Sequence, residues 1–545
     1  MPSLRCHRAV RFLVTACASL FVQACDAPPA GRPPAAAANE PVAISLTQGT
    51  YRARPAREGV LAFLGVPYAR QPVGAWRWRE AEPPAASSQI VDAYTFGSTA
   101  YQPRDENERA SFQPQGEDCL SLNIWTRGPR SVGRPVLVFI HGGANVSGGT
   151  ADPLYDGHNV VRDNDVVLVS INYRLGPFGF LDLSEVGGPA YARSRNLGLL
   201  DQLAALRWVR ANIAAFGGDA GNITVFGESA GGSAIMRLLG MPLARGLFDK
   251  AIIESGGPAN IRVKGYPKTD DVPAGRALTR EMMRETGVTD LAGLLALPAD
   301  AVLAAAGAVA RRRGDTMGVT TWGARVDDLV LPADVFGNIR RGVNPGVKVL
   351  IGTNEDEMLY FRLYDQDFER GLMREYHATA TAMGRSFGKV KALADRYIAG
   401  SRDPKRYVDF AGEFWIRQPS ILLAEGQSHH SDVFMYLWTW DSQVPGLGAA
   451  HAIELPFVFG NLRDQSAVAL TGTNPPAALS RRIQAAWAAF ALTGNPTAAG
   501  DTAWPRYTAA SRATMLLSDG PWRLVDDPKG DDRQILREMY DVETR

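Results

Sequence analysis

Short apolar runs rich in Val, Ile and Phe recur along the chain: PVLVFI (135–140), DVVLVSINY (165–173), NITVFG (222–227), KAIIES (250–255), VKVLIG (347–352) and DVFMYLWTW (432–440). They are nearly continuous rather than alternating, the pattern of strands buried on both faces. Between several of them lie stretches of helical periodicity, such as LGLLDQLAALRWVRANIAAF (197–216). Strand and helix in turn predict an α/β fold, a mostly parallel central sheet with helices on both faces. Two regions, from about 260 to 325 and about 360 to 430, interrupt the alternation with helical, aromatic-containing sequence. A lid or pocket wall would be inserted there. No internal repeat is visible.

The N-terminus follows another pattern. Arg5, Arg8 and Arg11 precede the apolar stretch FLVTACASLFV (12–22), too short for a resident membrane span and suited to a signal-peptide core. VQAC (22–25) resembles a bacterial lipobox, in which Cys25 would be lipidated; ordinary cleavage after Ala18 or Ala27 is the alternative. Residues 26–41, DAPPAGRPPAAAANEP, read as a flexible Pro/Ala-rich tether. The expected organisation is therefore a leader over 1–25, a linker over 26–41 and a folded body over 42–545. Both readings of the leader export the mature chain, to the periplasm, to a membrane through a lipid anchor, or into the medium.

Cysteine usage agrees with a body that relies on its core. Cys6, Cys17 and Cys25 belong to the leader, and Cys119 is left without a partner, expected as a buried small hydrophobe. The formal charge is +1 and hydrophobic residues make up 46% of the 545 positions. That balance points away from disorder and from nucleic acid, and towards a small-molecule partner. The oligomeric state stays open. Arg311, Arg312 and Arg313 read as a solvated helix end.

Chemistry enters at VFGESAGGSAI (225–235). Gly227-Glu228-Ser229-Ala230-Gly231 fits G-x-S-x-G directly after a predicted strand and before a helical stretch. A serine on so sharp a turn takes strained backbone angles, and small neighbours let it project. Alone, the pentapeptide would be weak; its strand–turn–helix setting makes Ser229 a candidate nucleophile. A serine needs a base, and the base an orienting acid. With chain order Ser, acid, His, the base comes from His377, His429, His430 or His451. Ligands in open α/β sheets gather at the carboxyl ends of strands. His429 and His430 precede the last apolar run, and His377 lies in a helical insertion. His451 follows that run, in PGLGAAHAIELPF, and is the expected base. The acid should follow VKVLIG, where TNEDE offers Glu355, Asp356 and Glu357, and spacing does not choose among them. HGGANVSGG (141–149) follows PVLVFI and is similar to an HGGG-type oxyanion loop. Gly143 and Ala144 there, with Ala230, would supply N–H donors to a developing oxyanion.

Taken together the motifs resemble the type-B carboxylesterases, the α/β-hydrolase family that includes cholinesterases and bacterial carboxylesterases. The resemblance runs from about residue 41 to 510. It rests on FLGVPYARQPVGAWRW, GEDCLSLNIW, VFIHGGANVSGG, INYRLGPFGFL, NLGLLDQLAALRWVRANIAAFGGDAGNITVFGESAGG, IGTNEDE, HAIELPFVFG and WAAFALTGNP. It implies Ser229 as nucleophile, Glu357 as triad acid, His451 as base, and Gly143, Ala144 and Ala230 as oxyanion donors. It further implies structural pairs of Arg77 with Glu117 and Arg174 with Asp201. Glu228 matches a carboxylate beside the nucleophile that either tunes or supports the site. Gly318, Val319 and Thr320 match an acyl-pocket position that carries aromatics in the family, which suggests a roomier pocket.

The chain departs from the family at Ala144, where many members have glycine, and in the segment before Cys119. That segment lacks a pairing cysteine and the tryptophan that stacks choline cations, so choline esters are not the expected substrates. The expected function is a serine carboxylic ester hydrolase acting through an acyl-enzyme on small to medium esters, with no metal or organic cofactor. An amidase or lactonase would use the same machinery, and a non-catalytic binding protein could share the fold.

Overall fold

The computed structural model describes residues 41–540, apart from 105–113, 131–132, 262, 264–269, 316–317, 319, 365–366 and 384–387. All six predicted strands form, and they lie side by side in one sheet. In chain order the strands are β1 (Ala43–Leu46), β2 (Gly49–Arg57), β3 (Val60–Pro67), β4 (Ile90–Ala93), β5 (Thr99–Ala100), β6 (Gln115–Gly116), β7 (Ser121–Thr126), β8 (Arg134–Ile140), β9 (Val167–Ile171), β10 (Gly218–Glu228), β11 (Lys250–Glu254), β12 (Lys348–Asn354), β13 (Val433–Trp438), β14 (Ala513–Leu517) and β15 (Arg523–Asp526). β5 and β6 pair separately. The rest make a 13-stranded sheet in the order β1-β2-β3-β7-β9-β8-β10-β11-β12-β13-β14-β15, with β4 beside β2.

The block from β9 through β8 to β14 is parallel throughout. Its strands are apolar without interruption because both faces are covered. Val136, Val138 and Ile140 of β8 enter one core with Leu203 and Leu239. Leu137 and Phe139 enter the other with Ile483 and Trp487. The helices Leu197–Asn212 and Ala230–Gly240 thus cover one face, and Ala477–Thr493 the other. The helix predicted over 197–216 tightens into a 3₁₀ turn at Ile213–Phe216 and stops at Gly217, whose φ of 82° is left-handed. At the margins the sheet is antiparallel, at β1-β2-β3-β7-β9 and β14-β15. These edge strands were not predicted: β2, GTYRARPAR, is charged and exposed along its second half and carries little of the apolar signal that marks a buried strand.

Both interrupting regions are helical, with helices Val272–Thr286, Leu291–Ala296 and Ala299–Arg312 in the first. The second holds Phe368–Met383, Gly388–Ile398, Pro404–Gly412 and Gln418–Gln427, the last two joined by a π-helical turn, Glu413–Arg417. The described residues belong to one compact unit starting at Pro41. Among them no helix is long and apolar enough to cross a membrane. Cys25 and the leader lie outside the described residues. Arg77 grips Glu117 through two hydrogen bonds, 2.6 and 2.5 Å long. Arg174 holds Asp201 in the same bidentate way, at 2.7 and 2.6 Å.

Candidate active site

The site assembles at the carboxyl ends of β8, β10, β12 and β13. β10 ends at Glu228, and Ser229 turns the chain into the helix Ala230–Gly240 with φ 58° and ψ −119°. A non-glycine residue in that region is strained and must be held there by its surroundings. The surroundings are close. A Cβ on Gly227 would stand 2.5 Å from the Ile140 carbonyl oxygen, and one on Gly231 2.0 Å from the same atom. The glycines flanking Ser229 therefore let strand, turn and helix close on β8. The Ser229 N–H donates to the Glu254 carbonyl on β11 at 3.0 Å, tying the turn to the next strand.

After β8 the loop 141–149 curls through three consecutive positive φ values, 96° at Gly143, 55° at Ala144 and 63° at Asn145. Ala144 accepts this conformation without the freedom of a glycine. The N–H groups of Val146 and Ser147 both donate to the Gly143 carbonyl. The loop lies against the nucleophile turn: a Cβ on Gly142 would be 3.1 Å from Ser229 Cβ. Among the described residues the N–H groups of Gly143, Ala144 and Ala230 have no carbonyl acceptor. His141, at the root of the loop, is buried and stacked on Tyr173, with ring centroids 4.5 Å apart. Burial pushes its pKa down to about 4, so it is a neutral packing group at neutral pH.

The structure separates the three acids that follow β12. Glu355 is exposed. Asp356 faces Lys405 Nζ at 3.2 Å and accepts from the Ala449 N–H, also at 3.2 Å. Glu357 is buried and accepts from the Asn354 N–H at 2.7 Å, while its other oxygen lies 2.6 Å from His451 Nδ1. The His451 N–H also donates to the Glu357 carbonyl, at 3.1 Å. His377 and His430 are occupied elsewhere, by the Tyr407 hydroxyl and the Arg340 carbonyl.

The opposite edge of the imidazole meets Glu228. Its Oε1 is 3.0 Å from His451 Nε2, off the line of a hydrogen bond. The structure thus brings His451 to the residue preceding Ser229, with Nε2 turned to Glu228 rather than bonded to Ser229 Oγ. Burial works against a charge on His451, but the charges of Glu228 and Glu357 outweigh it and hold the imidazole well above its ordinary pKa. Tyr360 packs edge-on against the ring at 5.9 Å.

Gly318 is buried where a Cβ would sit 3.0 Å from Trp322 and 3.7 Å from Val146 of the oxyanion-type loop. Thr320 is exposed and bonded to Asp315 through both its N–H and its hydroxyl, each at 2.9 Å. Its hydroxyl is committed to this local turn. Val319 lies outside the described residues. Sequence reading missed Glu254, Glu454, Tyr436 and Trp487, which are buried around Glu228; a lone glutamate near the end of the apolar run KAIIES was the one available signal.

Known proteins bear on this arrangement. A family model described as "Carboxylesterase family" matches residues 42–534. The chain is 38% identical over 494 residues to the para-nitrobenzyl esterase of Bacillus subtilis, covering 88% of this chain and 95% of that one. It is 31% identical over 501 residues to the phenmedipham hydrolase of Pseudarthrobacter oxydans, covering 88% and 96%. Among solved structures, a carboxylesterase of Geobacillus stearothermophilus superposes with a TM-score of 0.78 at 35% identity, over 91% of this chain and 99% of that one.

Proposed function

The chain belongs to the carboxylesterase family and is a carboxylic ester hydrolase, and from that premise we propose a serine acyl-enzyme mechanism run by Ser229, His451 and Glu357. The observation that carries this reading is the doubly anchored imidazole beside the strained nucleophile turn. Glu357 fixes the Nδ1 edge at 2.6 Å, so that Nε2 is the nitrogen left for proton transfer.

In this reading an ester carbonyl carbon approaches Ser229 Oγ, and the proton of Oγ passes to Nε2. Oγ bonds to carbon, and the negative charge on the carbonyl oxygen meets the N–H groups of Gly143, Ala144 and Ala230. Collapse expels the alcohol, protonated by His451. Water then attacks the acyl-enzyme by the same route and releases the acid. Because both carboxylates favour the imidazolium, the base form gains population only as pH rises through the raised pKa of His451. Small to medium esters are the proposed substrates, with p-nitrobenzyl and p-nitrophenyl esters as first probes.

Hydrolysis of p-nitrophenyl acetate and butyrate by the wild type and Ser229→Ala tests the mechanism, with a fluorophosphonate as covalent label. The expected result is activity and labelling in the wild type and neither in the variant. Hydrolysis surviving undiminished in folded Ser229→Ala would sink it. We also propose export through the N-terminal leader, with anchoring through Cys25; an unchanged membrane-bound fraction in Cys25→Ala would refute the anchor.

A further inference from the structure

One row of residues crosses the sheet behind His451. Glu228 on β10 is in register with Glu254 on β11, Glu254 is level with Gly352 on β12 one register step on, and Gly352 pairs with Tyr436 on β13. Alternate residues of a strand share a face. Phe226, Ile252, Leu350 and Phe434 all enter the core of the helix Ala477–Thr493, so the whole row looks into that core. Gly352 matters because a Cβ there would lie 2.3 Å from the Tyr436 ring. Its absence lets Tyr436 lean across towards the glutamates.

Glu254 has no exposure to solvent. Oε1 accepts from Trp487 Nε1 at 2.6 Å, and Oε2 has no partner among the described residues. The groups facing it are Glu228 from β10, Tyr436 from β13, Glu454 from the segment after β13 and Trp487 from the helix, and Glu228 in turn faces His451 Nε2 at 3.0 Å. Glu454 accepts from Asn354 Nδ2 at 2.6 Å. One oxygen each of Glu228, Glu254, Glu454, Asn354 and Tyr436 is buried without a hydrogen-bond partner among the described residues. Of four buried glutamates, Glu228 and Glu357 meet the imidazole while Glu254 and Glu454 bond Trp487 and Asn354, and among the described residues no arginine or lysine is bonded to any of them. Among the described residues no set of His, Cys, Asp and Glu is arranged to hold a metal ion. Such a group lowers its charge by keeping protons.

We propose that Glu254 is a positioning residue of the triad that acts through Glu228: as a neutral acid it leaves the Glu228 carboxylate free to charge-pair with His451, and its ionisation sets a second negative charge beside Glu228. Burial first, and then the charge of Glu228, push its pKa up to about 8, while the Trp487 hydrogen bond pulls the other way. Burial first, and then the charge of Glu228, raise Glu454 as well. Through Glu228, which faces both groups, the proton on Glu254 is linked to the proton on His451. Losing one makes the other harder to lose, and the base form of His451 appears over a broader pH range than a single group would give.

The inference rests on the proposed mechanism, and the experiment separates the two. The measurement is the pH profile of kcat/KM for p-nitrophenyl acetate in the wild type, Glu254→Gln and Trp487→Phe, with Ser229→Ala alongside. Glu254→Gln keeps an oxygen for Trp487 and removes the titration. The expected result is a broad wild-type rise with a bend near pH 8, contracted in Glu254→Gln to a single-proton curve. Trp487→Phe removes a donor that favours the charged carboxylate, so the bend should move to higher pH. Denaturation gives a second readout. Folded Glu254 keeps a proton that the unfolded chain has lost, so wild-type stability falls relative to Glu254→Gln as pH rises from about 5 to about 8. Superimposable kinetic profiles of wild type and folded Glu254→Gln overturn the proposal, even where the stability difference is seen, because a merely buried acid would show only the latter. A bend that stays in place in Trp487→Phe also overturns it. Ser229→Ala hydrolysing as fast as the wild type would overturn the mechanism itself and this inference with it.

Discussion

Buried charge is handled in opposite ways in two regions of this molecule. Beside β3 and β9, Arg77 and Arg174 each meet a carboxylate through paired hydrogen bonds, and each charge is matched one to one. Behind the nucleophile, Glu228 and Glu357 flank His451 and Glu254 and Glu454 are buried near Glu228, with no arginine or lysine bonded to any of the four among the described residues. A matched pair has a single favourable protonation state over the working pH range, so it holds geometry and reports nothing. An unmatched cluster lies close to exchanging protons. That is a poor scaffold and a suitable setting for a base whose pKa must lie within reach of the working pH.

The sharpest way to expose the difference is to remove one charge from each region. Glu357→Gln should leave the fold intact and reduce kcat by about 10⁴-fold, because the amide no longer holds the imidazole in the required tautomer. The check is steady-state hydrolysis together with an unchanged far-UV spectrum. In the scaffold, Arg174→Met should do the reverse. It strands Asp201, which is fully buried, and a broken buried pair costs roughly 3–5 kcal/mol of stability. Urea denaturation reads that loss, while kcat of the surviving folded fraction stays within a few-fold of wild type. A stable Arg174→Met with impaired kcat would erase the contrast between the regions.

Legibility in the sequence divides along a similar line. The parallel strands were readable because a strand covered on both faces is apolar at every position, as in PVLVFI and KAIIES. Ser229 was readable because its turn admits only small neighbours, and Gly227 and Gly231 stand at the forced spacing. The acid was not readable from spacing, since Glu355, Asp356 and Glu357 are equivalent until the chain turns one inward against His451. Resemblance selected Glu357, whose carboxylate lies 2.6 Å from His451 Nδ1. The antiparallel margins were missed because partly exposed strands mix charge with apolar residues. Glu254 was missed because its significance depends on register with Glu228 across two strands, 26 residues apart in sequence and absent from any local pattern.

The contrast can be sharpened further with a subtler change, Glu228→Gln. His451 is raised above its ordinary pKa, so its charged form stabilises the fold fully below the unfolded value, and that contribution fades as pH rises through the raised one. Catalysis has the opposite dependence, since it needs the neutral imidazole. Removing the Glu228 charge lowers the pKa of His451, and the acid limb of kcat/KM should move to lower pH. The limb staying in place would show that Glu357 alone sets the pKa.

The smallest expected effect belongs to Cys119, which lies in the scaffold region among the charges of Arg174 and Asp201. Burial raises its thiol pKa far above the ordinary value, and the Asp201 charge adds to this while Arg174 opposes it. A matched ion pair nearby therefore does nothing to activate it, in contrast to the unmatched carboxylates around His451. Cys119→Ala should leave hydrolysis unchanged and cost about 1 kcal/mol of stability through lost packing. In the native protein the thiol should resist an aromatic disulfide reagent at pH 8 and react once denaturant unfolds the chain. Rapid native reaction would mean that this region opens on its own, and the rigidity assigned here to paired charges would then have to come from elsewhere.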